Sequence, residues 1–600
     1  MSDGVSMRIV SHNSLSVSAE MNQELSAKNN SYITAYAVFL GFALAYFWYY
    51  LPQDFSYTDE GYLLGLGHRM ALGQLIYVDF NFLRPPLSPI IQAVFIKTFG
   101  SGYTVLWSKI YWAIQATATV IIASYIYREW MSRPLFTITL IATLLYSTLL
   151  FAFPWYTYDG MFFASLFVLS VFRTRFLLAG VFAGLAFLCK QGFLALLPLT
   201  FGFLFVLTLF ETGNWKLQTR NLLRATLGWG IPVAICSIAF LMYGAFDEMI
   251  TNIFILPQRV NLTSLNFILF QDLPIVVTNF AVPALIVLGL YLLRSFVVIR
   301  LVLILALAIS LSDTMLNSKN DLPQFMITTI YLVSFLSLFE NLRKIRQKKC
   351  DQLTLRNHTL ALALGITLLY VASINYCGVV FSYVGGVVAL PMLFVVLSNS
   401  IGPIANEFRS AERTMLETFL KKGLIPYLVA LGVLTLCFLA HHKFPYSRGP
   451  RSALSSEFAT PKLAGIRGRS SIVVTIDSLV NYILVNTSDR DSIFTFPALT
   501  SLCYLTDRPA WGRTHWSYYR EYDTIMAKHT VSRLLSAPPS LVILENPDSS
   551  SLVWEAVRKN KVIEAVVENF KLVDSVVGFM CYRPAKREAE NRENIAGDTN

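Results

Sequence analysis

Residues 52–89, PQDFSYTDEGYLLGLGHRMALGQLIYVDFNFLRPPLSP, decide how the rest of the chain is read. They come after an apolar run, 32–51, long enough at about 1.5 Å per residue to cross a bilayer as a helix. They hold an acidic pair, Asp59-Glu60, more aromatic residues than a solvated loop requires, and Arg84-Pro85-Pro86. The segment after Arg84 sets the parity of everything downstream. Apolar blocks at 87–99, 105–127 and 135–153 separate it from PWYTYDG at 154–160. If all of them crossed, Asp59 and Asp159 would lie on opposite faces of the membrane.

Positive charge resolves the count. Arg128 and Arg133 flank one link and Arg173 and Arg175 the next but one, whereas PWYTYDG carries no cation. Short basic links stay cytoplasmic. PWYTYDG is therefore outside, which requires that the block 87–99 not cross. That block is short for a span and starts at Pro-Pro, so it is expected as a juxtamembrane or re-entrant helix. Residues 52–103 then form a platform on the outer face, with Arg84 and Asp159 on the same side as Asp59.

Composition agrees with a membrane chain. Of 600 residues 55% are hydrophobic and 14% charged, and the mean hydropathy is +0.53, which excludes a soluble multidomain protein. The net charge of +11 is not a nucleic-acid signal, because many of the cations sit in short links between apolar blocks, where they set topology. Residues 1–31 are Ser/Asn-rich and read as a disordered cytoplasmic arm with no cleavable leader pattern. From 32 to 440 the apolar blocks give about thirteen crossings, with the N-terminus cytoplasmic and the tail extracytoplasmic, in a plasma (inner) membrane. No internal repeat is found, which counts against the inverted-repeat plan of many transporters.

After residue 441 the pattern becomes that of a soluble domain. SIFTFP at 492–497 and SLVILE at 540–545 read as short buried strands, and FMCYR at 579–583 is expected to close the sheet. The fold class is thus a polytopic α-helical membrane protein with outer juxtamembrane helices, followed by a small extracytoplasmic α/β domain at 441–584. A disordered charged tail, 585–600, ends the chain. The seven Cys are scattered without a CxxC, so there is no zinc signature; Cys503 and Cys581 are the pair an extracytoplasmic tail would allow to join, and their pairing is left open.

The residues able to carry chemistry gather on the outer side of this topology. Asp59 and Glu60 would be partly desolvated among Tyr57, Tyr62, Tyr77 and Phe80 if that loop lay at the headgroups, which is how a carboxylate gains the pKa of a general base; a solvated loop is the plainer reading. Arg84, stiffened by two prolines, suits a phosphate or serves as an interfacial anchor. Asp159 stands at the start of a span, where an acid also serves as a cap. Lys190, in LCKQGF, interrupts apolar sequence, which is costly unless it meets a partner or a cavity, or snorkels to the interface. Arg259, Asp313, Lys319 and Asp321 lie in later outer loops.

TDEG at 58–61, LRPPL at 83–87 and TYDG at 157–160 together resemble the GT-C superfamily of membrane glycosyltransferases, the nearest pattern being that of the protein O-mannosyltransferases and lipid A aminoarabinose transferases. The likeness covers 32–210 by motif and the remainder by architecture. It implies transfer of a sugar from a polyprenyl-phosphate donor to a glycan, lipid or protein acceptor outside the membrane, with no nucleic acid involved. Asp59 would be the general base, Glu60 would support it or help bind a metal, and Asp159 matches the second acidic position. Arg84, where many relatives carry Lys, would bind the donor phosphate with Lys190 and Arg259. No cofactor is certain; a divalent metal is left open, and Leu83, where some relatives carry His, weakens it. Physical chemistry points the same way: a polyprenyl phosphate leaves readily, so the reaction needs one base and positive charge rather than a general acid. One carboxylate acting by direct displacement inverts the anomeric centre, whereas a retaining route needs a second, nucleophilic one, for which Asp159 is available. The rival reading is a transporter or flippase of a lipid-linked sugar, which would place its charges near mid-bilayer. A lipid-sugar ligase or phosphotransferase is a third.

Overall fold

The structure, a computed structural model, describes residues 32–100, 102–148, 153–211, 215–257, 322–347, 352–373, 387–388, 390–396, 424–443, 451–497, 499–513, 524–545 and 561–585. Helix α1, Tyr32–Tyr50, leads into the platform. Helices α2 (Asp59–Ala71) and α3 (Leu87–Phe99) come next, then α4 (Thr104–Tyr125), α5 (Arg133–Ser147), α6 (Tyr156–Phe172), α7 (Phe176–Cys189), α8 (Leu196–Phe210), α9 (Trp215–Met242) and the short α10 (Phe246–Ile250). Further helices cover Leu322–Gln347, Gln352–Ser373 and Leu424–Lys443.

Five helices among the described residues are long and apolar enough to cross a membrane: Tyr32–Tyr50, Thr104–Tyr125, Gln191–Phe210, Trp215–Met242 and Leu353–Ala372. The expectation of about thirteen crossings is not reached by these five. It also counts shorter apolar helices, such as α5, α6 and α7, and blocks at 275–293 and 301–311 that lie outside the described residues. The terminal segments 1–31 and 586–600 lie outside them as well. At 13 residues, α3 spans about 20 Å, short of a hydrocarbon core of about 30 Å. It packs along α2 instead.

Small residues let the apolar helices close on one another. A Cβ on Gly180 of α7 would lie 1.9 Å from the carbonyl oxygen of Ala225 in α9, and one on Gly228 would lie 2.0 Å from that of Leu177. Backbone meets backbone at this crossing, the packing small residues permit where lipid offers no hydrophobic drive. The platform helix α2 uses the same device in two directions. A Cβ on Gly61 would lie 2.4 Å from Cβ of Ser501 in the C-terminal domain, and one on Gly67 would lie 2.7 Å from Cβ of Gln92 in α3. Residues 60–69 are consequently buried without a break.

The C-terminal domain holds a four-stranded sheet in the order β3-β4-β6-β5, with β3 (Ile493–Phe496) parallel to β4 (Leu541–Glu545) and β6 (Phe579–Pro584) antiparallel to both β4 and β5 (Phe570–Val576). Two short strands, β1 (Ser456–Glu457) and β2 (Arg467–Gly468), form a separate ribbon. Strands β3 and β4 are buried on both faces, which is why they read as largely apolar runs. Ile493, Leu541 and Ile543 face the Ser470–Asn486 helix together with Phe55, Leu64 and Val105 of the platform and α4. Phe494, Phe496, Val542 and Leu544 face the helices Thr524–Ser536 and Lys561–Asn569. The strand at 579–583 does not close the sheet as expected; it lies inside it, and β5 forms the edge. Cys503 and Cys581 are both buried thiols and form no disulfide.

The domain is bolted to the platform by polar contacts as well. Arg467 pairs its backbone with Pro52 and Asp54 (2.6 and 2.7 Å). Arg69, buried in α2, donates to the carbonyl of Gly512 at 2.7 Å, and Arg513 donates to the carbonyl of Tyr77 at 2.6 Å. His68 lies 3.2 Å from Asp507, whose same oxygen also meets Lys462. With Lys462 supplying the positive charge, His68 bonds as a neutral donor. Burial, outweighing the pull of Asp507, holds His68 below its usual range. Burial opposes the Asp507 charge, but the hydrogen bonds from His68 and Lys462 and the Lys462 charge outweigh it and hold that carboxyl down to about 2.

A histidine depressed in the docked state takes up its proton first when released, so docking is fully stabilised above about pH 6.5 and weakens as pH falls through the interval below it. Hydrogen-exchange protection at α2 and Ser501–Thr506, corrected for the intrinsic pH dependence of amide exchange, should fall as pH drops from about 6.5 to 5.5 in the native protein, and less so in His68→Gln. Equal pH dependence in the two proteins would remove His68 as the cause.

Candidate functional site

The TDEG turn is fixed from three directions. Within the turn, the Asp59 N–H donates to the Ser56 hydroxyl (3.1 Å) and the Ser56 N–H donates to the Glu60 carboxylate (3.3 Å), a reciprocal arrangement of the capping-box type. From the C-terminal domain, Ser501 donates to the Tyr57 carbonyl at 2.8 Å. From α4, Lys109 reaches the carbonyls of Gln53 (3.3 Å) and Asp54 and pairs with Glu60 at 3.7 Å. Asp59, at the first position of α2, is half-buried, whereas Glu60 is enclosed.

Lys109 was not among the residues expected from the sequence. Its side chain is 2% exposed and that of Glu60 1%, so the pair is buried rather than a surface contact of little worth. Burial pushes the Glu60 carboxyl up, to about 7, against the pull of Lys109 and the Ser56 N–H. Glu60 is thereby committed to holding the turn. The signal was present in the sequence: Lys109 interrupts the apolar run WSKIYW as Lys190 interrupts its own, and the same cost argument applies to both.

Arg84 is 4% exposed and its guanidinium lies over the ring of Tyr156, 4.3 Å from the centroid, a cation–π geometry. Its Nη1 stands 3.5 Å from the hydroxyl of Tyr62, one turn along α2 from Asp59. Its backbone is held on both sides. Tyr77 donates to the Arg84 carbonyl at 2.6 Å, and Gln191, beside Lys190, donates to the Leu83 carbonyl at 2.6 Å. Pro86 caps α3 at Leu87, so the two prolines end the loop that carries Arg84. Tyr62, Tyr77 and Phe80 do not lie at the headgroups, as the sequence suggested. All three are buried in the protein, where they pack on Trp155, Phe240 and Arg69 respectively.

Asp159 is fully buried in the first turn of α6. Its carboxylate accepts from Tyr111 (3.1 Å) and Gln115 (2.8 Å), both on α4. It therefore ties two helices together and fixes the turn bearing Tyr156, against which Arg84 rests. Lys190 is buried at the end of α7, where the backbone becomes extended before the 3-10 turn Gln191–Ala195. The structure thus brings the neighbourhood of Asp59, Arg84, Asp159 and Lys190 together through Tyr62, Tyr156 and Gln191. Arg259, Asp313, Lys319 and Asp321 lie outside the described residues. Among the described residues no three His, Cys, Asp or Glu side chains gather as metal ligands would, and Glu60, paired with a buried ammonium, does not fit the second-ligand role beside Asp59.

Removing one partner of a buried pair typically costs about 3–5 kcal/mol. Lys109→Met should lower the unfolding temperature in detergent strongly, because it leaves Glu60 without its counter-charge. Glu60→Gln should cost much less, and combining the two should recover most of the loss. A double variant as unstable as Lys109→Met alone would show that Lys109 acts only through the Gln53 and Asp54 carbonyls.

No family model matches this sequence, and no curated protein matches it. Among solved structures the chain is similar to the oligosaccharyltransferase of Archaeoglobus fulgidus in its apo form, with a TM-score of 0.50 and 12% identity, over 92% of this chain and 74% of that one. At that identity the likeness is one of fold: the chain shares its architecture with a solved oligosaccharyltransferase.

Proposed function

We propose that this protein is a membrane glycosyltransferase that moves a sugar from a polyprenyl-phosphate donor to an acceptor on the outer face of the membrane. The observation that carries the reading is the arrangement of Arg84. A buried guanidinium is braced by Tyr156 and by Tyr62, and Tyr62 stands one turn along α2 from a half-buried carboxylate, Asp59. The fold shared with an oligosaccharyltransferase adds support.

In this reading Asp59 accepts the proton of the acceptor hydroxyl as its oxygen attacks the anomeric carbon. The bond from that carbon to the phosphate oxygen breaks, and the polyprenyl phosphate departs with the electron pair. Arg84 neutralises the departing phosphate, a task suited to its planar fork, with Lys190 and Arg259 assisting. Glu60 holds the turn that aims Asp59, and Asp159 fixes the helix end that braces Arg84. A single in-line displacement inverts the anomeric centre. The transporter reading gains no support from the described residues, because Arg84 is fixed in the platform loop rather than on a membrane-spanning helix.

Asp59→Asn should abolish transfer in reconstituted vesicles, a loss of at least about 10²-fold, while the protein remains inserted with an unchanged melting temperature. Arg84→Gln should weaken both donor binding and turnover, and Arg84→Lys should restore part of each. Full transfer by Asp59→Asn would sink the mechanism. Carrier movement across vesicles with no acceptor glycosylated would favour the transporter.

A further inference from the structure

A cleft of about 650 Å³ opens where the C-terminal domain meets the end of α10. It is of the size that takes a small ligand, roughly 300–1,000 Å³, and no step proposed above uses it. Its two walls differ in charge. Asp247 and Glu248 come from α10, and Arg513 and Arg533 from the C-terminal domain, with Trp511 also in the lining.

One buried polar group in this lining is left unsatisfied by the protein. Asn252 is 3% exposed; its amide nitrogen donates to the Glu248 carbonyl at 2.8 Å, and its Oδ1 has no hydrogen-bond partner. Leaving a buried acceptor unmet costs about 1–3 kcal/mol, which a ligand hydroxyl or amine would recover. Asn252 lies in a π-helical turn, Thr251–Ile255, a local widening often found at functional sites. That turn is held by Gln191, which donates to the Ile253 carbonyl at 3.1 Å as well as to the Leu83 carbonyl beside Arg84. The cleft is therefore fixed to the Arg84 loop through one side chain. The cationic wall is also built in. Arg513 is anchored on the Tyr77 carbonyl at 2.6 Å, and Arg533 lies 5.7 Å from the Trp511 ring centroid.

From these walls we infer that the cleft binds an anionic saccharide. Its hydroxyls donate to Asn252, Asp247 and Glu248, and its carboxylate or phosphate substituent faces Arg513 and Arg533. A saccharide suits the site better than a peptide because it offers several donors in a small volume, matching three acceptors on one wall. Only the further statement that this saccharide is the acceptor rests on the transferase reading.

The test is direct binding by the full-length protein in nanodiscs, measured calorimetrically with digalacturonate, glucose 6-phosphate, maltose, inorganic phosphate and an acidic peptide of four glutamates. At least one of the two anionic sugars should bind about tenfold or more tightly than maltose; which one identifies the substituent as carboxylate or phosphate. Asn252→Ala and Arg533→Ala should each weaken that binding about tenfold. Arg533 is exposed, so its variant keeps the test valid if Asn252→Ala melts early. Asp59→Asn should bind as the native protein does, which separates failure of the cleft from failure of the transfer mechanism. Equal binding of maltose, binding of phosphate or peptide without either anionic sugar, or undiminished binding by Arg533→Ala would overturn the proposal.

Discussion

The buried contact of Lys109 with Glu60 and with the Gln53 and Asp54 carbonyls is the constraint on which the platform depends. A chain leaving a membrane helix has backbone carbonyls to satisfy and no regular ladder to satisfy them with. Here a lysine from the next long helix takes two of those carbonyls and a carboxylate at once. This sets where α1 ends and where α2 begins, and so fixes the direction in which Asp59 leaves the helix. An ammonium is costly to bury, and it is tolerated because three oxygens surround it. Arg84 and Asp159 repeat the principle. Each is a buried charged group whose surroundings, an aromatic ring and hydroxyl in one case and a hydroxyl and amide in the other, hold it in one place.

The C-terminal domain completes this arrangement. Its core includes Phe55, Leu64 and Val105, and Ser501 touches the turn itself through the Tyr57 carbonyl. Domain and platform therefore share apolar burial, which gives strength, and polar contacts such as His68–Asp507 and Arg69–Gly512, which give register. A loosened domain would release one of the three holds on the turn that carries Asp59.

Much of this was legible in the sequence. The short block after Pro-Pro, at 87–99, read as a helix too short to span because length and proline are local signals. β3 and β4 were visible because a strand buried on both faces cannot hide its apolar run. β5 was not, because at the sheet edge six of its seven residues, FKLVDSV, are exposed or half-covered and its composition resembles a loop. The four candidate residues Asp59, Arg84, Asp159 and Lys190 are visible as charges out of place. Their supports are not: the role of Lys109 depends on Glu60 and the Gln53 and Asp54 carbonyls, which are distant in sequence, and the neutral groups of Tyr62, Tyr156, Gln115 and Gln191 acquire meaning only from tertiary neighbours. The enclosure of Glu60 against Lys109 is not legible either, because adjacency to Asp59 says nothing of which side of a helix turn is enclosed. The headgroup placement of Tyr62, Tyr77 and Phe80 failed for a similar reason, since aromatic residues suit a protein interior as well as an interface.

The most direct test of the central claim is a structure of the protein with a polyprenyl phosphate bound. The phosphate should lie against the Arg84 guanidinium, on the side of Tyr62 and Tyr156, with the Asp59 carboxylate facing the position of the anomeric carbon. Carrier density in a cavity among the membrane-spanning helices, away from Arg84 and Asp59, would contradict it.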